Sequence, residues 1–261
     1  MDKEKLTSFI RDYELKKIII KNLSKVEGVI HNHDIRATDF MNPFERKNFI
    51  AILRGLDSIN YRECSPSVMS ERSIIQIFPN YIPYELIEKP YDIIKISGNF
   101  KFNKIGHRDY LGTILSLGIK RDKIGDIDVH EDCAFIVVDK NVSGFITLNL
   151  NSINKASVTS KLVGENEFVK SIPNYQEKVI TIASRRADAV VSEIFNLSRA
   201  KTQDYINKEK LYVDFELYTS NSREIKDSSL VSLKGFGRAI FDEVITETKK
   251  GRMRARVKRI L

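Results

Sequence analysis

The 261-residue sequence predicts an α+β protein in three parts. Apolar residues recur at helical intervals through roughly the first seventy residues, and strand-like and helical stretches then alternate in the order βαββαβ. After a polar linker, two short helices precede a series of strands. The expected domains are a small helical domain over residues 1–70, an α/β sandwich over 71–165 and a second α/β domain over 180–261.

Two helices are predicted in the first part. The stretch KEKLTSFIRDYELKKIIIKNLSK places Leu6, Phe9, Ile10 and Tyr13 at helical intervals. Pro43 begins PFERKNFIAILRGL at a position that a first helical turn tolerates. Pro66 marks a break in the pattern. The stretch SIIQIFP that follows is typical of a short strand.

The middle of the chain favours a ferredoxin-like split βαβ sandwich. Its strand candidates are YDIIKISG, KIGDIDVH, CAFIVVD and KASVTSKLV, and its helix candidates are HRDYLGTILSLG and NVSGFITLNLNSI. This order predicts a four-stranded sheet with two helices on one face, the topology of RNA-recognition domains among many others. The two central strands offer only Phe135 as an aromatic residue, so base stacking on the sheet is not expected.

Basic residues near the first helix of the sandwich are the candidates for phosphate or partner contact in this domain. They are His107, Arg108, Lys120, Arg121 and Lys123. The triplet His107-Arg108-Asp109 also occurs in the catalytic loop of protein kinases, but that pattern requires Asn where Ile114 stands and a Gly-rich loop upstream. Asp109 is expected to stabilise the start of the helix instead.

Neither a catalytic centre nor a metal site is expected. Asp126 and Asp128 could form a carboxylate pair, but on a strand they share a face and more often cap turns or pair with a neighbour such as Lys123. His31 and His33 would need further ligands from elsewhere, and an exposed helix end is the better interpretation. No cofactor is implied. The two cysteines, Cys64 and Cys133, fit no C-x-x-C pattern and are expected to be idle thiols.

The net charge of +8 is concentrated at the C-terminus, where the last fifteen residues carry seven basic residues and one acid. Such a segment indicates a polyanionic partner, either nucleic acid or an acidic membrane surface. In GRMRARVKRIL the basic residues alternate with apolar ones, which predicts a strand with cations on one face, roughly 7 Å apart. RNA contact is favoured, and a solvated edge strand protected from aggregation remains the alternative. Membrane attachment is disfavoured because this segment alternates as a strand and lacks the amphipathic helix that such anchors use.

Two short helices precede these strands, and basic residues stand at both helix starts. Arg185 and Arg186 open the first helix, and Ser198 is predicted to cap the second, which begins at Arg199. Arginine side chains and helix N-termini can converge on phosphates. The cations that are candidates for RNA contact are Arg185, Arg186, Arg199, Lys208, Lys210, Lys234, Arg238, Arg252, Arg254, Arg256 and Lys258.

This region resembles the S-four domain, the RNA-binding module named after ribosomal small-subunit protein four. The resemblance rests on Arg186-x-Asp188, on Leu197-Ser198-Arg199-Ala200, on the helix to Ile206 and on the strand from Leu211 to Phe215. It implies that Arg185, Arg186, Ser198, Arg199 and Lys201 bind structured RNA. Two departures stand out: the family usually has Gly where Glu209 stands, and Asn-Gly where Asp214-Phe215 stands.

The central stretch HRDYLGTILSLGIKRDKIGDI, with TDFMNP and SERSIIQIFP upstream, is similar to the bacterial YlmH family, whose C-terminal half is an S-four domain. The resemblance implies a non-enzymatic RNA-binding factor that associates with the large ribosomal subunit, contacting rRNA and peptidyl-tRNA. It also implies a role in ribosome-associated quality control with alanine tailing of stalled nascent chains. A cytoplasmic location is expected, because no apolar run approaches a membrane span and the N-terminus is charged from its second residue. A monomer is also expected.

The main alternative is an RNA-modifying enzyme that uses the S-four domain for docking. A methyltransferase would need a Gly-rich nucleotide loop after a strand, and a pseudouridine synthase would need a catalytic Asp in its own context and a larger sheet. Neither pattern is found in the sequence, so the binding factor is the preferred hypothesis.

Overall fold

The computed structural model describes residues 1–100, 105–248 and 251–261. The chain divides into two compact units, Met1–Ser171 and Ile172–Leu261. The α+β class is confirmed, because seven α-helices and three antiparallel sheets occur within the described residues. Over the same residues, none of the helices has the length and apolar character that a membrane span requires.

The N-terminal layer of the first unit combines helices with a three-stranded sheet. Its elements are α1 (Lys3–Leu6), α2 (Tyr13–Asn32), β1 (Arg36–Ala37), α3 (Pro43–Leu53), β2 (Ile59–Cys64) and β3 (Ile74–Pro79). The side chain of Asp12 caps α2 by accepting from the amide of Leu15 at 3.0 Å, and His33 ends the helix with a left-handed φ of 56°. Asn42 and Glu45 form a reciprocal capping box around Pro43, which explains where α3 begins.

Strand β2 lies in the part of the chain for which helices are predicted. It pairs with β3, the strand predicted at SIIQIFP, so one sheet spans position 70, where the sequence pattern places a boundary. The pattern of β2 is hard to recognise because Asn60, Arg62 and Glu63 interrupt its apolar alternation while only Ile59 and Cys64 are buried. The three-domain division remains a prediction.

The rest of the first unit follows the order βαββαβ. Its elements are β4 (Tyr91–Gly98), α4 (His107–Ser116), β5 (Ile124–Val129), β6 (Cys133–Asp139), α5 (Lys140–Asn149), the short β7 (Ser152–Ile153) and β8 (Ala156–Val163). The strands are ordered β5-β6-β4-β8-β7, and each neighbouring pair is antiparallel. This is the strand order of a split βαβ sheet.

Both faces of the central sheet are covered. On one face, Ile94 and Ile136 pack against Tyr110 of α4 and Ile146 of α5. On the other face, side chains of the central sheet and of the N-terminal layer form one shared core that consists of Phe40, Cys64, Ile74, Tyr91, Ile93, Phe135 and Val137. Phe135 is only 3% exposed. The face on which RNA-recognition domains stack bases is therefore buried at this position.

The segment after β8 is bound to the first unit although the sequence predicts a linker there. Phe168 packs edge-on against Phe135, with ring centroids 5.7 Å apart. Glu165 accepts a hydrogen bond from the hydroxyl of Tyr91, and Lys170 pairs with Asp126 at 2.7 Å. The predicted linker is thus attached to the sandwich through residue 171.

The second unit packs two helices on one face of a six-stranded antiparallel sheet. Its elements are β9 (Tyr175–Ile182), α6 (Ala187–Phe195), α7 (Arg199–Asn207), β10 (Leu211–Val213), β11 (Glu216–Leu217), β12 (Ser229–Leu233), β13 (Gly237–Glu247) and β14 (Met253–Ile260). The strands are ordered β11-β10-β12-β13-β14-β9. Val190 and Ile194 of α6 share a core with Phe241, Ala255 and Val257 of the sheet.

Five non-glycine residues in the described part of this unit have a left-handed φ, and three of them lie at the exit of α7 and in the turn between β10 and β11. Glu209, at the exit of α7, has φ 56°, while Asp214 and Phe215 have φ 50° and 67°. Asp214 and Phe215 are the two loop residues between the paired Val213 and Glu216, so they form a type I′ hairpin turn. These are the positions where the S-four family usually carries Gly or Asn-Gly. At these three positions the backbone keeps a conformation that glycine favours, although this chain carries Glu, Asp and Phe there.

Candidate nucleic-acid interface

A buried carboxylate organises the junction of α6 and α7. Asp188 is 1% exposed and accepts hydrogen bonds from Arg186 Nε at 3.2 Å, from Arg199 Nη2 at 3.5 Å and from Gln203 Nε2 at 3.0 Å. Burial disfavours the charged carboxylate, but the hydrogen bonds from Gln203 and Arg186 and the charge of Arg199 outweigh it and lower the pKa of Asp188. Asp188 is therefore ionised at neutral pH.

The same contacts position the two arginines toward solvent. The side chains of Arg186 and Arg199 are 44% and 52% exposed, and each uses only one of its nitrogen atoms on Asp188. Sequence reasoning identified both arginines but missed the role of Asp188 as their common acceptor and missed Gln203 entirely. The available signal was the spacing, since Gln203 follows Arg199 by one helical turn.

Helix α7 presents an open N-terminus beside these arginines. Ser198 caps it as predicted, and its Oγ accepts from the amide of Lys201 at 3.3 Å. The amides of Arg199 and Ala200 precede the first intrahelical hydrogen bond, and both residues are exposed, as is Lys201. Two backbone donors and two cationic side chains are thus available to an anion at this point.

The start of α6 differs, although the sequence places arginines there too. The amides of Ala187 and Asp188 donate to the carbonyls of Arg223 and Asn221 at 2.9 and 3.2 Å. These contacts occupy the donors that a phosphate would need. The start of α7 therefore offers more free donors to a phosphate than the start of α6, and phosphate binding at the two helix starts stays a prediction.

Three other predicted cations of the helical side have intramolecular partners. Arg185 makes a two-point ion pair with Asp227, at 2.6 and 3.1 Å. Lys208 pairs with Asp204 at 2.8 Å, one helical turn away. The ammonium of Lys210 lies 5.3 Å from the ring centroid of Tyr205.

The cations that flank the β12–β13 turn cover aromatic rings. Lys234 donates to the hydroxyl of Tyr212 at 2.9 Å and lies 4.8 Å from the centroid of its ring. Arg238 lies 5.6 Å from the ring centroid of Phe215. Because Arg238 stands opposite Ser232 while its neighbour Ala239 is in the core, it lies on the sheet face away from α6 and α7.

The alternation in β14 is confirmed. Ala255 and Val257 are buried beneath α6, and the cations lie on the opposite face. The row is partly neutralised by β13, because Arg256 lies 3.1 Å from Glu243 and Lys258 lies 2.9 Å from Asp242. Arg252 precedes the strand, and Arg254 stands between Thr181 and Thr246, with no ion pair to another described residue.

The predicted RNA-binding residues therefore do not form one surface. The group around Asp188 lies on the helical side of the second unit, and the group on β14 lies on the opposite face of its sheet. The helical group has an excess of cations over acids, whereas two members of the strand group are paired with carboxylates.

Asp109 has the structural role that the sequence predicts. It accepts from the amide of Gly106 at 2.8 Å and from Asn154 at 3.0 Å, and the bonds from Asn154 and Gly106 lower the pKa of its carboxyl group. His107 and Arg108 are exposed in the first turn of α4, and Lys120 is exposed after it.

Two of the neighbouring cations are engaged within the fold. The guanidinium of Arg121 donates to the carbonyls of Ile124 and Gly125, and burial lowers its pKa to about 10. Lys123 bridges Asp39 and Asp139 at 2.7 and 2.8 Å. Arg121 and Lys123 are thus each bound to groups of their own chain, which leaves less of their charge for a partner, and their contact with a partner stays a prediction.

The carboxylates of β5 serve the fold. Asp126 accepts from the backbone amides of Glu71 and Arg72 at 2.8 and 3.0 Å, and Asp128 accepts from Ser171. Lys170 pairs with both, so the partner is Lys170 and not Lys123. Across residues 1–100, 105–248 and 251–261, no three or more His, Cys, Asp or Glu side chains are placed to hold a metal ion.

The chain resembles known proteins in sequence and in fold. Residues 88–167 match the family described as "Putative RNA-binding domain in YlmH". A relative from Bacillus subtilis (strain 168), "Ribosome-associated protein quality control protein P2", is 24% identical over 231 residues, which cover 88% of this chain and 90% of that protein. The solved structure of "Cell division protein ylmH from Streptococcus pneumoniae" has the same fold over 61% of this chain and 96% of its own, with a TM-score of 0.52 and 24% identity.

The domain match covers the central sandwich, the Bacillus subtilis relative aligns with nearly the full length, and the solved structure shares the fold. In sequence, the chain is similar to the YlmH family over residues 88–167 and to the Bacillus subtilis relative over most of its length.

Proposed function

We propose that this protein is an RNA-binding factor that associates with the ribosome, and that its second unit acts as an S-four domain. The family described for residues 88–167 and the name of the Bacillus subtilis relative both support this function. The basic charge of the chain, +8, favours a polyanionic partner.

The arrangement around Asp188 is the observation that carries the proposal. One buried carboxylate holds two half-exposed arginines next to the open N-terminus of α7. Guanidinium groups bind phosphates through planar two-point hydrogen bonds, and helix N-termini add backbone donors and a positive dipole end. Because Arg186 and Arg199 are fixed before binding, little side-chain entropy is lost when they meet the RNA backbone. The surface therefore suits structured RNA, whose phosphates are also held in place.

We further propose that the protein binds the large ribosomal subunit and contacts rRNA and peptidyl-tRNA there. It would act during quality control, when stalled nascent chains receive alanine tails. Its role there is to bind and not to catalyse. Asp126 and Asp128, the only carboxylate pair that the sequence suggested for catalysis, are engaged by backbone amides and Lys170.

The binding test compares two double variants that remove the same number of charges. R186A/R199A should weaken binding to purified large subunits about 100-fold and reduce the dependence of log affinity on log salt by about two, since two phosphate contacts are lost. R256A/K258A, on the opposite face and paired with acids, should change the affinity less than about threefold. Equal losses of affinity in the two double variants would contradict the proposal that the helical surface binds the RNA.

The cellular test is sedimentation of tagged protein from lysate on a sucrose gradient. Migration with free large subunits supports the proposed role. A slowly sedimenting peak, together with a change in modified rRNA nucleosides in a deletion strain, would favour an RNA-modifying enzyme instead.

A further inference from the structure

The N-terminal layer contains an open pocket that is lined mainly by aromatic and amide side chains. The pocket encloses about 320 Å³ and lies between β2, the end of β3 and the loop that follows β3. The lining residues are Asn60, Tyr61, Arg62, Phe78, Asn80, Tyr81, Ile82, Pro83 and Tyr84. Its size is at the lower end of the range for small-molecule sites, about 300–1,000 Å³.

Two tyrosines of the pocket are unusually exposed. Tyr81 is 65% exposed and Tyr84 is 55% exposed, whereas Phe78 on the pocket floor is 3% exposed. Tyrosines with one apolar face toward solvent are typical of binding surfaces, because the ring gains contact area on binding and loses little rotamer freedom.

The loop that carries these rings is held in place before any ligand binds. The guanidinium of Arg62 donates to the carbonyl of Tyr84 at 2.9 Å and to the carbonyl of Ile87 at 2.6 Å. Its Nε donates to Gln76 at 2.8 Å. The donors of Arg62 are thus used to fix the loop, and its charge lies 6.0 Å from the ring centroid of Tyr84.

The pocket also presents groups that can recognise the edge of a planar ligand. Asn60 donates to the carbonyl of Asn80 at 3.4 Å, and Asn80 donates to the carbonyl of Asp57 at 2.9 Å. These bonds use the amide nitrogens and leave the carbonyl oxygens of both side chains as acceptors. The hydroxyl groups of the tyrosines can donate or accept.

We propose that this pocket binds an unpaired nucleobase of RNA, with the base stacked on Tyr81 or Tyr84 and its edge facing Asn60 and Asn80. This inference rests on the proposed RNA-binding function and adds a second, base-contacting site to the phosphate-contacting surface around Asp188. Splayed bases of single-stranded RNA are commonly bound by aromatic stacking combined with hydrogen bonds to the base edges.

The position of the pocket in the chain favours RNA over a peptide. The pocket loop leads directly into residue 88, where the match to the RNA-binding domain family begins. The layer that carries the pocket shares a core with the sheet of that domain through Ile74 and Phe135. Because the usual base-stacking face of the domain is buried by this layer, a base that reaches the domain would meet the exposed rings of the layer instead.

The experiment separates base contacts from phosphate contacts in the full-length protein. Its two probes are a ten-nucleotide oligoadenylate RNA and a ten-unit abasic RNA that keeps the ribose-phosphate backbone. The wild-type protein should bind oligoadenylate about tenfold more tightly than the abasic strand. Y81A/Y84A should lose this tenfold preference, and Y81F/Y84F, which keeps the rings, should retain it.

Control variants identify which site is affected. Tyr13 is 69% exposed on α2, outside the pocket, so Y13A should bind both probes like the wild type. R186A/R199A should weaken binding of both probes equally and keep the ratio of the two affinities.

If Y81A/Y84A keeps the wild-type preference for oligoadenylate, the pocket proposal is overturned and the proposed function stands. If the wild type binds neither these strands nor large subunits, both are overturned. Binding of decaproline that is lost in Y81A/Y84A, with oligoadenylate binding intact, would identify a peptide site and also overturn the proposal.

Discussion

Two nearly buried aspartates, one in each unit, are surrounded by basic residues. In the first unit, Asp39 is 6% exposed and lies 2.7 Å from both Lys21 and Lys123 and 3.6 Å from Lys25. In the second unit, Asp188 is 1% exposed and is bound by Arg186 and Arg199. By residue type alone, the two clusters are similar, since each places basic side chains around one aspartate.

The difference lies in the number of acids. Lys123 also binds Asp139, and Lys21 also binds Asp122, so three lysines face three carboxylates around Asp39. Around Asp188, two arginines face one carboxylate and remain about half exposed. The first cluster is neutral and joins elements of the fold, whereas the second carries excess positive charge toward solvent. A basic cluster thus indicates a binding surface only after the acids that face it have been counted.

The largest effect on stability is expected for Asp39→Ala. Removing this carboxylate leaves three lysines close together, and the pKa of Lys25 is already lowered because burial disfavours its charge. We expect the free energy of unfolding of the first unit to fall by about 3 kcal/mol. Hydrogen exchange read by mass spectrometry can measure the opening free energy of residues 1–171 separately from that of 172–261.

Glu14→Ala is the control for that measurement, because Glu14 pairs with Lys17 on the surface with 76% of its side chain exposed. Its loss should cost less than about 0.5 kcal/mol. A similarly small cost for Asp39→Ala would contradict the structural role of the neutral cluster, and so would a large loss of RNA affinity in the folded variant.

Acid should weaken the neutral cluster in a defined pH range. Burial opposes the ionisation of Asp39, but hydrogen bonds from Lys123 and Lys21 and the charge of Lys25 outweigh it and lower the pKa from 3.8 to about 2. A carboxyl group with a lowered folded pKa stabilises the protein fully above its unfolded pKa, and this contribution is lost as pH falls through the folded value. The first unit should lose about 2 kcal/mol between pH 5 and pH 2 from this group.

Urea unfolding across that pH range checks the assignment when the wild type is compared with Asp39→Asn. The variant has no carboxyl group at position 39, so its stability should fall less steeply with acid. Parallel curves for the two proteins would show that the acid sensitivity has another origin.

The variant Asp188→Asn tests whether Asp188 holds the two arginines in place or only neutralises part of their charge. The change raises the net positive charge by one, so a role in neutralisation alone predicts tighter RNA binding. If Asp188 holds Arg186 and Arg199 in place, affinity should fall about tenfold, or about 1.4 kcal/mol. Asp39→Asn, which makes the same charge change in the first unit, serves as the control and should leave RNA affinity within about twofold of the wild type. Tighter binding by Asp188→Asn would contradict the positioning role.

Local patterns made much of the fold predictable. The βαββαβ order, the Ser198 cap and the alternation of β14 depend on residues that are close in sequence, and the structure shows all three. Strand β2 was missed because its exposed residues interrupt its apolar pattern, and its partner β3 lies beyond an irregular stretch.

The candidate site was predictable only in part, because charge pairing depends on tertiary structure. The alternating cations of β14 are visible in the sequence, but whether Arg256 and Lys258 are free depends on Asp242 and Glu243 of the neighbouring strand. Likewise, the burial of Phe135 depends on the N-terminal layer, whose packing on the central sheet no local pattern reveals.

The smallest effect, at Glu209, tests whether stability and RNA affinity in the second unit can be separated. Glu209 ends α7 with φ 56°, a left-handed conformation that costs roughly 1 kcal/mol for a residue with a side chain. Glu209→Gly should therefore stabilise the second unit by about 0.5–1 kcal/mol. The matched control is Glu193→Gly in the right-handed helix α6, which should destabilise the unit by a similar amount. Hydrogen exchange of residues 172–261 measures both changes.

RNA affinity should stay within about twofold of the wild type in both glycine variants, because neither changes the donors at Asp188 or at the start of α7. A parallel rise and fall of affinity with stability would show that the arginine pair is limited by the folding of its unit and not by its local geometry. The difference in RNA binding between the clusters at Asp188 and Asp39 would then depend on the stability of the units and not on the number of acids that face the basic residues.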